Sequence, residues 1–402
     1  MSHVPSRRPH IVFLFSDTGG GHRSAAQAII EALEMDYPNQ TSYEMVDFFR
    51  AYAPPLLNRS PDFYPPLSRK PKLLGLMFHA SDGARHTRLF LNILWPYIRT
   101  ATVRLLREHP ADLIVSVHPL INAPLGRAME QIGLDTPFMT VVTDLITPHA
   151  SWYVRRSNLV VVPTPAAFER GVKYGLSPER MRVIGLPVAE RGCRAGTVRQ
   201  EVRARLGWPQ DSPVMLLVGG GEGMGPLEQM TIAIDAAKLP VTLMIVAGRN
   251  KKLKERLEQH PWRVPVRVYG FVQDMPDFMR ASDILVTKAG PGTISEALAA
   301  GLPMILYSRL NGTEEGNVGY VVDHGAGVWA PSAVKVVAAA AHWLNYPQER
   351  AQAARACLAL ARPHAAREIA ALIMEQIGGK IPRLTGTPAE EIGYSYRPPV
   401  AG

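Results

Sequence analysis

Three glycine-rich turns each join an apolar run to a helical pattern, and each carries side chains able to move a proton or hold an anion. The first is SDTGGGHRSAAQAI, Ser16 to Ile29. Gly19, Gly20 and Gly21 let the backbone approach a ligand and adopt positive φ. The helix opening there offers unpaired N–H groups to an anion or a polar substrate. A neutral His22 imidazole at its mouth can take a proton from an acceptor hydroxyl. The plain alternative is a tight turn with His22 as a helix cap. A dinucleotide fingerprint would space its glycines as GxGxxG and place an acid roughly 20 residues later. Here the glycines are contiguous and Asp47 comes too late, which argues against a dinucleotide-dependent oxidoreductase.

The second turn is LLVGGGEGMGPLE, Leu216 to Glu228, in which Gly219, Gly220 and Gly221 would lie beside a bound diphosphate. Tight strand–helix packing explains it equally well. The third, TKAGPGTISEALAAGLPMILY, Thr287 to Tyr307, carries the strongest signal. Its turn builds a phosphate-receiving helix N-terminus from Gly290, Pro291, Gly292 and Thr293. Glu296, just beyond, can accept two hydrogen bonds from the hydroxyls of a ribose. Its structural alternative is favourable placement in the helix dipole. GTEEGN follows, crowding Glu314, Glu315 and Asn317 where a sugar is expected, although one of them can serve as a helix cap. VHPL (117–120) and TDLITPHASWY (143–153) place His118 and Asp144 at strand ends, with His149, Trp152 and Tyr153 able to line an acceptor groove. Core or capping roles are as good for each taken singly.

Short β-rich runs alternating with helical patterns must hold these residues, the signature of parallel α/β sheets. Strands are expected at 10–16, 43–48, 112–118, 138–144, 159–164 and 181–186, then at 213–221, 241–248, 266–271, 283–290 and 303–308. Helices are expected at 23–35, 87–108 and 165–174, and near 226–238, 250–259, 293–300, 315–324 and 332–344. Each half opens with a strand running into glycines. The pattern predicts two Rossmann-like, doubly wound domains facing across a cleft, residues 1–190 and 191–378, followed by a tail at 379–402. The segment 49–72 fits neither period and is expected to be a loop or lid.

A length of 402 residues suits two domains, and 47% hydrophobic with 20% charged residues is ordinary globular composition. No apolar run approaches the roughly 18 residues that span a bilayer, and the opening apolar stretch, ended by Asp17, reads as a strand rather than a signal peptide. Cys193 and Cys357 are too few for a disulfide framework, so a reduced, cytoplasmic protein is expected. The net charge of +9 calls for nucleic acid or an anionic membrane surface. No nucleic-acid module is recognisable. From Arg69 to Arg107, basic residues outnumber the single acid Asp82 and alternate with Leu76, Met77, Leu89, Phe90 and Tyr97, as at a membrane interface. The alternative is a solvated basic face over an ordinary helix.

Taken in order, DTGGGHRSAAQAI, VSVHPL, VTDLITPHASWY, GGGEGMGP, GRNKKL, GFVQDM, KAGPGTISEALAAGLPMIL and EEGNVGYVV resemble the monogalactosyldiacylglycerol synthases and the related diacylglycerol glucosyltransferases. More distantly they are similar to the GlcNAc transferase that forms peptidoglycan lipid II. The resemblance implies a GT-B fold, a UDP-hexose held by the C-terminal domain and diacylglycerol met by the N-terminal domain. It also implies inverting transfer giving a β-glycoside and no metal or other cofactor. The basic stretch from Arg69 to Arg107 falls in the half expected to meet the bilayer, so a peripheral position on the cytoplasmic side of an anionic membrane is expected. Within it His22 is the general base. Gly219–Gly221 and the AGPGT turn hold the diphosphate, Glu296 the ribose, and Thr313, Glu314, Glu315 and Asn317 the hexose. Gly20, Gly21, His118, Asp144 and Trp152 meet the acceptor. A Gln is expected before the Glu of the sugar loop in the plant synthases. Thr313 stands there instead and leaves galactose and glucose both open.

Overall fold

The computed structural model describes residues 7–17, 21–55, 57–59, 71–189, 198–223 and 225–378. One sheet contains β1 (His10–Phe15), β2 (Ser42–Asp47), β3 (Leu113–Ser116), β4 (Phe138–Val141), β5 (Leu159–Val162) and β6 (Met181–Val183). A second contains β7 (Val214–Val218), β8 (Thr242–Val246), β9 (Val266–Tyr269), β10 (Ile284–Lys288), β11 (Met304–Ser308) and β12 (Gly327–Trp329). Every pairing is parallel, in the orders β2-β1-β3-β4-β5-β6 and β12-β11-β10-β7-β8-β9. The two doubly wound domains expected from the sequence are present. Parallel strands require crossovers, which the helices supply while covering both faces. That is why β3, β4, β5, β7 and β8 are wholly buried and apolar but for Ser116, Thr140 and Thr242.

The strand order reverses between β1 and β3 in the first sheet and between β7 and β10 in the second. Ligands of open α/β sheets bind beyond the carboxyl ends of strands at such reversals. His22 opens the helix that follows β1, His118 follows β3, and the other two glycine clusters follow β7 and β10.

Several helices lay outside the sequence expectation. Helix Pro119–Ile132 starts with proline in its first turn and stops at Gly133, whose φ of 65° suits glycine. Helices Pro71–Ser81, Met275–Ala281, Pro347–Leu360 and Ala365–Ile377 were also unanticipated, as was the three-residue β12. Residues 71 and 72, placed in the expected lid, begin the first of these helices. Residues 56 and 60–70, half of that lid, lie outside the described residues. So do the domain junction at 190–197, with Cys193, and the tail at 379–402.

One domain boundary is corrected. Helix Ala365–Ile377 returns to the first domain, where Ile369 and Ile373 pack against Ile11, Phe13, Ile29 and Leu33. Arg367 closes the contact by pairing with Asp36 of helix Gly21–Asp36. A second domain running unbroken to 378 would leave that sheet face bare of its last layer. Ile369 is fully buried, so Ile369→Ala is expected to cost about 2–5 kcal/mol of unfolding free energy. Denaturant titration checks this, and a loss below about 1 kcal/mol would contradict a core role.

Candidate active site

His22 is the second residue of helix Gly21–Asp36, the first helix after β1. Its Nδ1 lies 2.9 Å from Thr143 Oγ1, and the ring also donates to the Val117 carbonyl. His118 packs edge-on against it at 4.6 Å between centroids, and Trp152 stands 6.1 Å away. Protein atoms crowd water from the ring although part of it still faces the cleft. That burial lowers the His22 pKa to about 4, so the imidazole is neutral at physiological pH and able to accept a proton. Gly21 borders open space, since a Cβ there would meet no atom within 4 Å. Gly20 falls outside the described residues.

Two residues expected at the acceptor are buried behind the cleft surface. Trp152 is fully buried and His118 nearly so, which leaves neither with surface to offer a substrate. Trp152 donates its indole N–H to Asp144 Oδ2 at 2.7 Å and backs His22. His118 is the N-cap residue of helix Pro119–Ile132, and its own pKa is driven well below the usual histidine value by burial and then by His22. Tyr153 turns into the core and bonds the Ala167 carbonyl, so it lines no groove. Asp144 keeps a partial opening to the cleft. Burial pushes its pKa up to about 6, the Trp152 hydrogen bond opposes the shift, and Glu314 of the other domain adds to it.

The facing wall is built on β7 and β10. Gly290 is the N-cap residue of helix Pro291–Ala299, whose first turn includes Gly292 and Thr293. Pro291 has no N–H to lose there, while those of Gly292 and Thr293 are among the donors a helix start leaves unpaired. A Cβ on Gly292 would meet open space. Gly219, Gly220 and Gly221 approach from the neighbouring strand, with Gly220 at φ 75°. Between the two turns lies Lys288, a residue that motif reading passed over. A Cβ on Gly290 would stand 2.9 Å from its Nζ, and one on Gly220 would stand 3.3 Å from its Cε. Its only sequence signal is a lysine closing the strand just before AGPGT.

Glu314 and Asn317, expected on the hexose, are corrected to supporting positions. Glu314 is buried, accepts from Lys288 Nζ at 2.6 Å and from the Leu310 amide at 2.8 Å, and so holds the lysine head in place. Asn317 is fully buried and donates to the Ala289 carbonyl at 2.9 Å. Thr313 and Glu315 keep partial exposure. The Thr313 carbonyl accepts from Thr147 Oγ1 at 2.9 Å, and Glu315 lies 3.5 Å from His79. Glu296 sits in the second turn of its helix with partial exposure, and burial raises its pKa to about 7. Trp152 thus joins His22 to Asp144 on one side of the cleft, Glu314 joins Lys288 on the other, and the Glu314 charge is felt at Asp144 between them.

A proton acceptor on one domain and a cationic, amide-rich cradle on the other suit group transfer from an anionic leaving group. The comparisons agree with this layout. Residues 22–188 match the family model described as monogalactosyldiacylglycerol (MGDG) synthase, and residues 214–368 match the glycosyltransferase family 28 C-terminal domain. Monogalactosyldiacylglycerol synthase 3, chloroplastic, of Arabidopsis thaliana is 35% identical over 370 residues, covering 89% of this chain and 79% of its own. The spinach enzyme, monogalactosyldiacylglycerol synthase, chloroplastic, of Spinacia oleracea, is 33% identical over 387 residues, covering 94% and 74%. Among solved structures, MurG of Acinetobacter baumannii is 15% identical with a TM-score of 0.59, covering 91% of this chain and 99% of that one. MnaA of S. aureus, solved with UDP, is 13% identical with a TM-score of 0.63, covering 94% and 100%. The last two share the GT-B arrangement of paired sheets. With both halves of the site on matched segments, the chain belongs to the monogalactosyldiacylglycerol synthase family and is a glycosyltransferase.

Proposed function

We propose that the protein transfers a hexose, galactose before glucose, from a UDP-sugar to the free hydroxyl of 1,2-diacylglycerol, giving a β-monoglycosyldiacylglycerol. The observation that carries this reading is the opposition of His22 to the cradle around Lys288: helices Gly21–Asp36 and Pro291–Ala299, which carry His22 and the amide-lined turn, lie in contact across the cleft. His22 removes the hydroxyl proton as that oxygen attacks the anomeric carbon. The bond from that carbon to the β-phosphate oxygen breaks, and UDP leaves with the electron pair. Its added charge meets Lys288 Nζ and the amides of Gly292 and Thr293. Attack from the face opposite the leaving group inverts the anomeric centre. In this reading no metal takes part, and transfer persists in a chelator.

The acceptor lives in a bilayer, and the first domain presents a surface suited to one. Leu89, Ile93 and Tyr97, spaced four apart, form an exposed stripe on helix Ala84–Glu108, joined by Phe90 and, on helix Pro71–Ser81, by Leu76 and Met77. Exposed Lys72, Arg85, Arg88 and Arg99 accompany them, which suits an anionic leaflet. No described helix is long and apolar enough to cross a membrane. The docking proposed is peripheral, on the cytoplasmic side. Anionic vesicles are expected to raise activity, and salt to weaken the effect.

The test is transfer to dioleoylglycerol in anionic vesicles with UDP-galactose and UDP-glucose offered separately. Transfer from UDP-galactose supports the proposal. Transfer from UDP-glucose alone reassigns the sugar and makes Thr313 the residue to examine. Transfer from neither donor, together with GlcNAc transfer to a lipid-linked peptidoglycan precursor, overturns the acceptor.

Donor affinity should depend on pH through Glu296. Only its ionised form accepts two ribose hydrogen bonds, and its pKa in the free protein is raised to about 7. Lowering the pH from 8 to 6 therefore protonates it and weakens UDP binding, approaching tenfold per unit well below the pKa. Calorimetric titration across that range checks this. Glu296→Gln should bind more weakly above pH 7 and lose the dependence.

A further inference from the structure

Helix Pro71–Ser81 has two opposed faces. Leu73, Leu76 and Met77 point outward and are 44%, 67% and 51% exposed. On the other side Gly75 and Phe78 press against the sugar loop of the second domain. A Cβ on Gly75 would stand 2.6 Å from Asn311 Cβ, and one on Gly312 would stand 2.4 Å from the Phe78 ring. Gly312 holds φ 93°, a conformation open to glycine. His79 adds its 3.5 Å approach to Glu315. From the first domain's own cleft edge, Thr147 Oγ1 donates to the carbonyls of Gly312 and Thr313 at 3.0 and 2.9 Å, and Ile146 sits where a Cβ on Gly316 would stand, 2.6 Å from its Cγ2. His149 braces the helix by bonding Ser81 Oγ and packing on Phe78. The loop that begins at Leu310, whose amide fixes Glu314 and through it Lys288, is therefore shaped by a helix whose far side is free.

We infer that helix Pro71–Ser81 couples the bilayer to the donor site: an anionic membrane held by its outer face favours the clamped 310–315 loop, and that loop favours UDP. The inference rests on the membrane docking proposed above. A surface that fixes the helix position lowers the freedom the loop otherwise loses when donor binds. Coupling between two binding sites is reciprocal, so UDP must tighten membrane binding by the same factor by which membrane tightens UDP. The geometry also explains why glycine occupies position 75, a helix-interior site where alanine is intrinsically preferred by about 1 kcal/mol.

The experiment needs neither acceptor nor turnover. UDP affinity is measured by calorimetry with and without vesicles of equal parts phosphatidylserine and phosphatidylcholine, and vesicle binding is measured by cosedimentation with and without saturating UDP. The expected result is a shared gain of roughly fivefold or more in both directions. Gly75→Ala strengthens the helix itself and leaves the outer face intact, yet drives a methyl into Asn311. It should bind vesicles as the parent does and lose the coupling. Leu76→Glu, on the outer face, should lose vesicle binding while keeping the parent's vesicle-free UDP affinity. A parent that binds vesicles with unchanged UDP affinity overturns the inference and leaves the docking standing. A parent that binds no vesicles overturns the docking itself. Full coupling in Gly75→Ala overturns the route through the 310–315 loop.

Discussion

His22→Ala should reduce kcat by about 10²–10⁴, the span that a positioned general base contributes, with UDP affinity nearly unchanged. The imidazole is oriented by Thr143 Oγ1 and the Val117 carbonyl and backed by His118 and Trp152, so its loss removes a group held by four neighbours. Burial lowers its pKa to about 4. The sign follows directly: His22 accepts a proton only when neutral, and it is neutral above that value. At saturating donor the acidic fall assigned to His22 should lie near pH 4 rather than near 6.5, and the residual activity of the alanine variant should lack it. The measurement is kcat against pH on vesicle-borne diacylglycerol. A variant retaining more than a tenth of the parent's kcat would remove His22 from the proton transfer. Attention would then pass to Asp144, whose pKa near 6 and place beside the cleft make it the next acceptor.

Loss of the Lys288 cation is the other large effect. Removing one preorganised donor from developing negative charge costs about 10²–10³ in rate, and Lys288 Nζ lies between the two glycine turns. Lys288→Met alone would also strand the buried Glu314 carboxylate, a loss of about 3–5 kcal/mol in stability. The informative protein is the double variant Lys288→Met, Glu314→Gln. It should recover most of the parent's melting temperature and none of its activity. Glu314→Gln by itself, which keeps the cation, should lose less than about tenfold in kcat/KM, equivalent to about 1.4 kcal/mol. Melting curves and steady-state kinetics on the three proteins check both halves. Recovery of activity in the double variant would reduce Lys288 to a counter-ion for Glu314.

The strands were legible because a buried parallel strand is a nearly continuous apolar run, and 11–15, 159–162 and 214–218 are such runs. The expected strands overran their ends by a few residues, into the turns that carry the chemistry. Short or weakly periodic elements escaped. β12 spans three residues, and helix Pro71–Ser81 carries apolar residues on its exposed face, so no single buried stripe reveals it. Helix Ala365–Ile377 has ordinary amphipathic spacing, but nothing local says which of two sheets it covers.

The local chemistry was determined by the chain alone: glycines before a helix start make an amide-lined turn wherever they occur, and a histidine at that start faces the same opening. Contiguous motifs therefore pointed to His22, the AGPGT turn and Glu296, and the structure leaves His22 and Glu296 partly exposed. What each neighbouring polar residue does was decided only by tertiary structure. Trp152, His118, Glu314 and Asn317 carry the right atoms for substrate, yet the fold buries all four and turns them toward Asp144, His22, Lys288 and the Ala289 carbonyl. Lys288 enters the cradle for the converse reason, since only the pairing of β7 with β10 brings the two glycine turns around its side chain. Burial and cross-cleft distance are properties of the packed chain. Residues more than a hundred positions apart, such as His22 and Thr143 or Thr147 and Gly312, acquire their roles only when the two sheets are folded and facing.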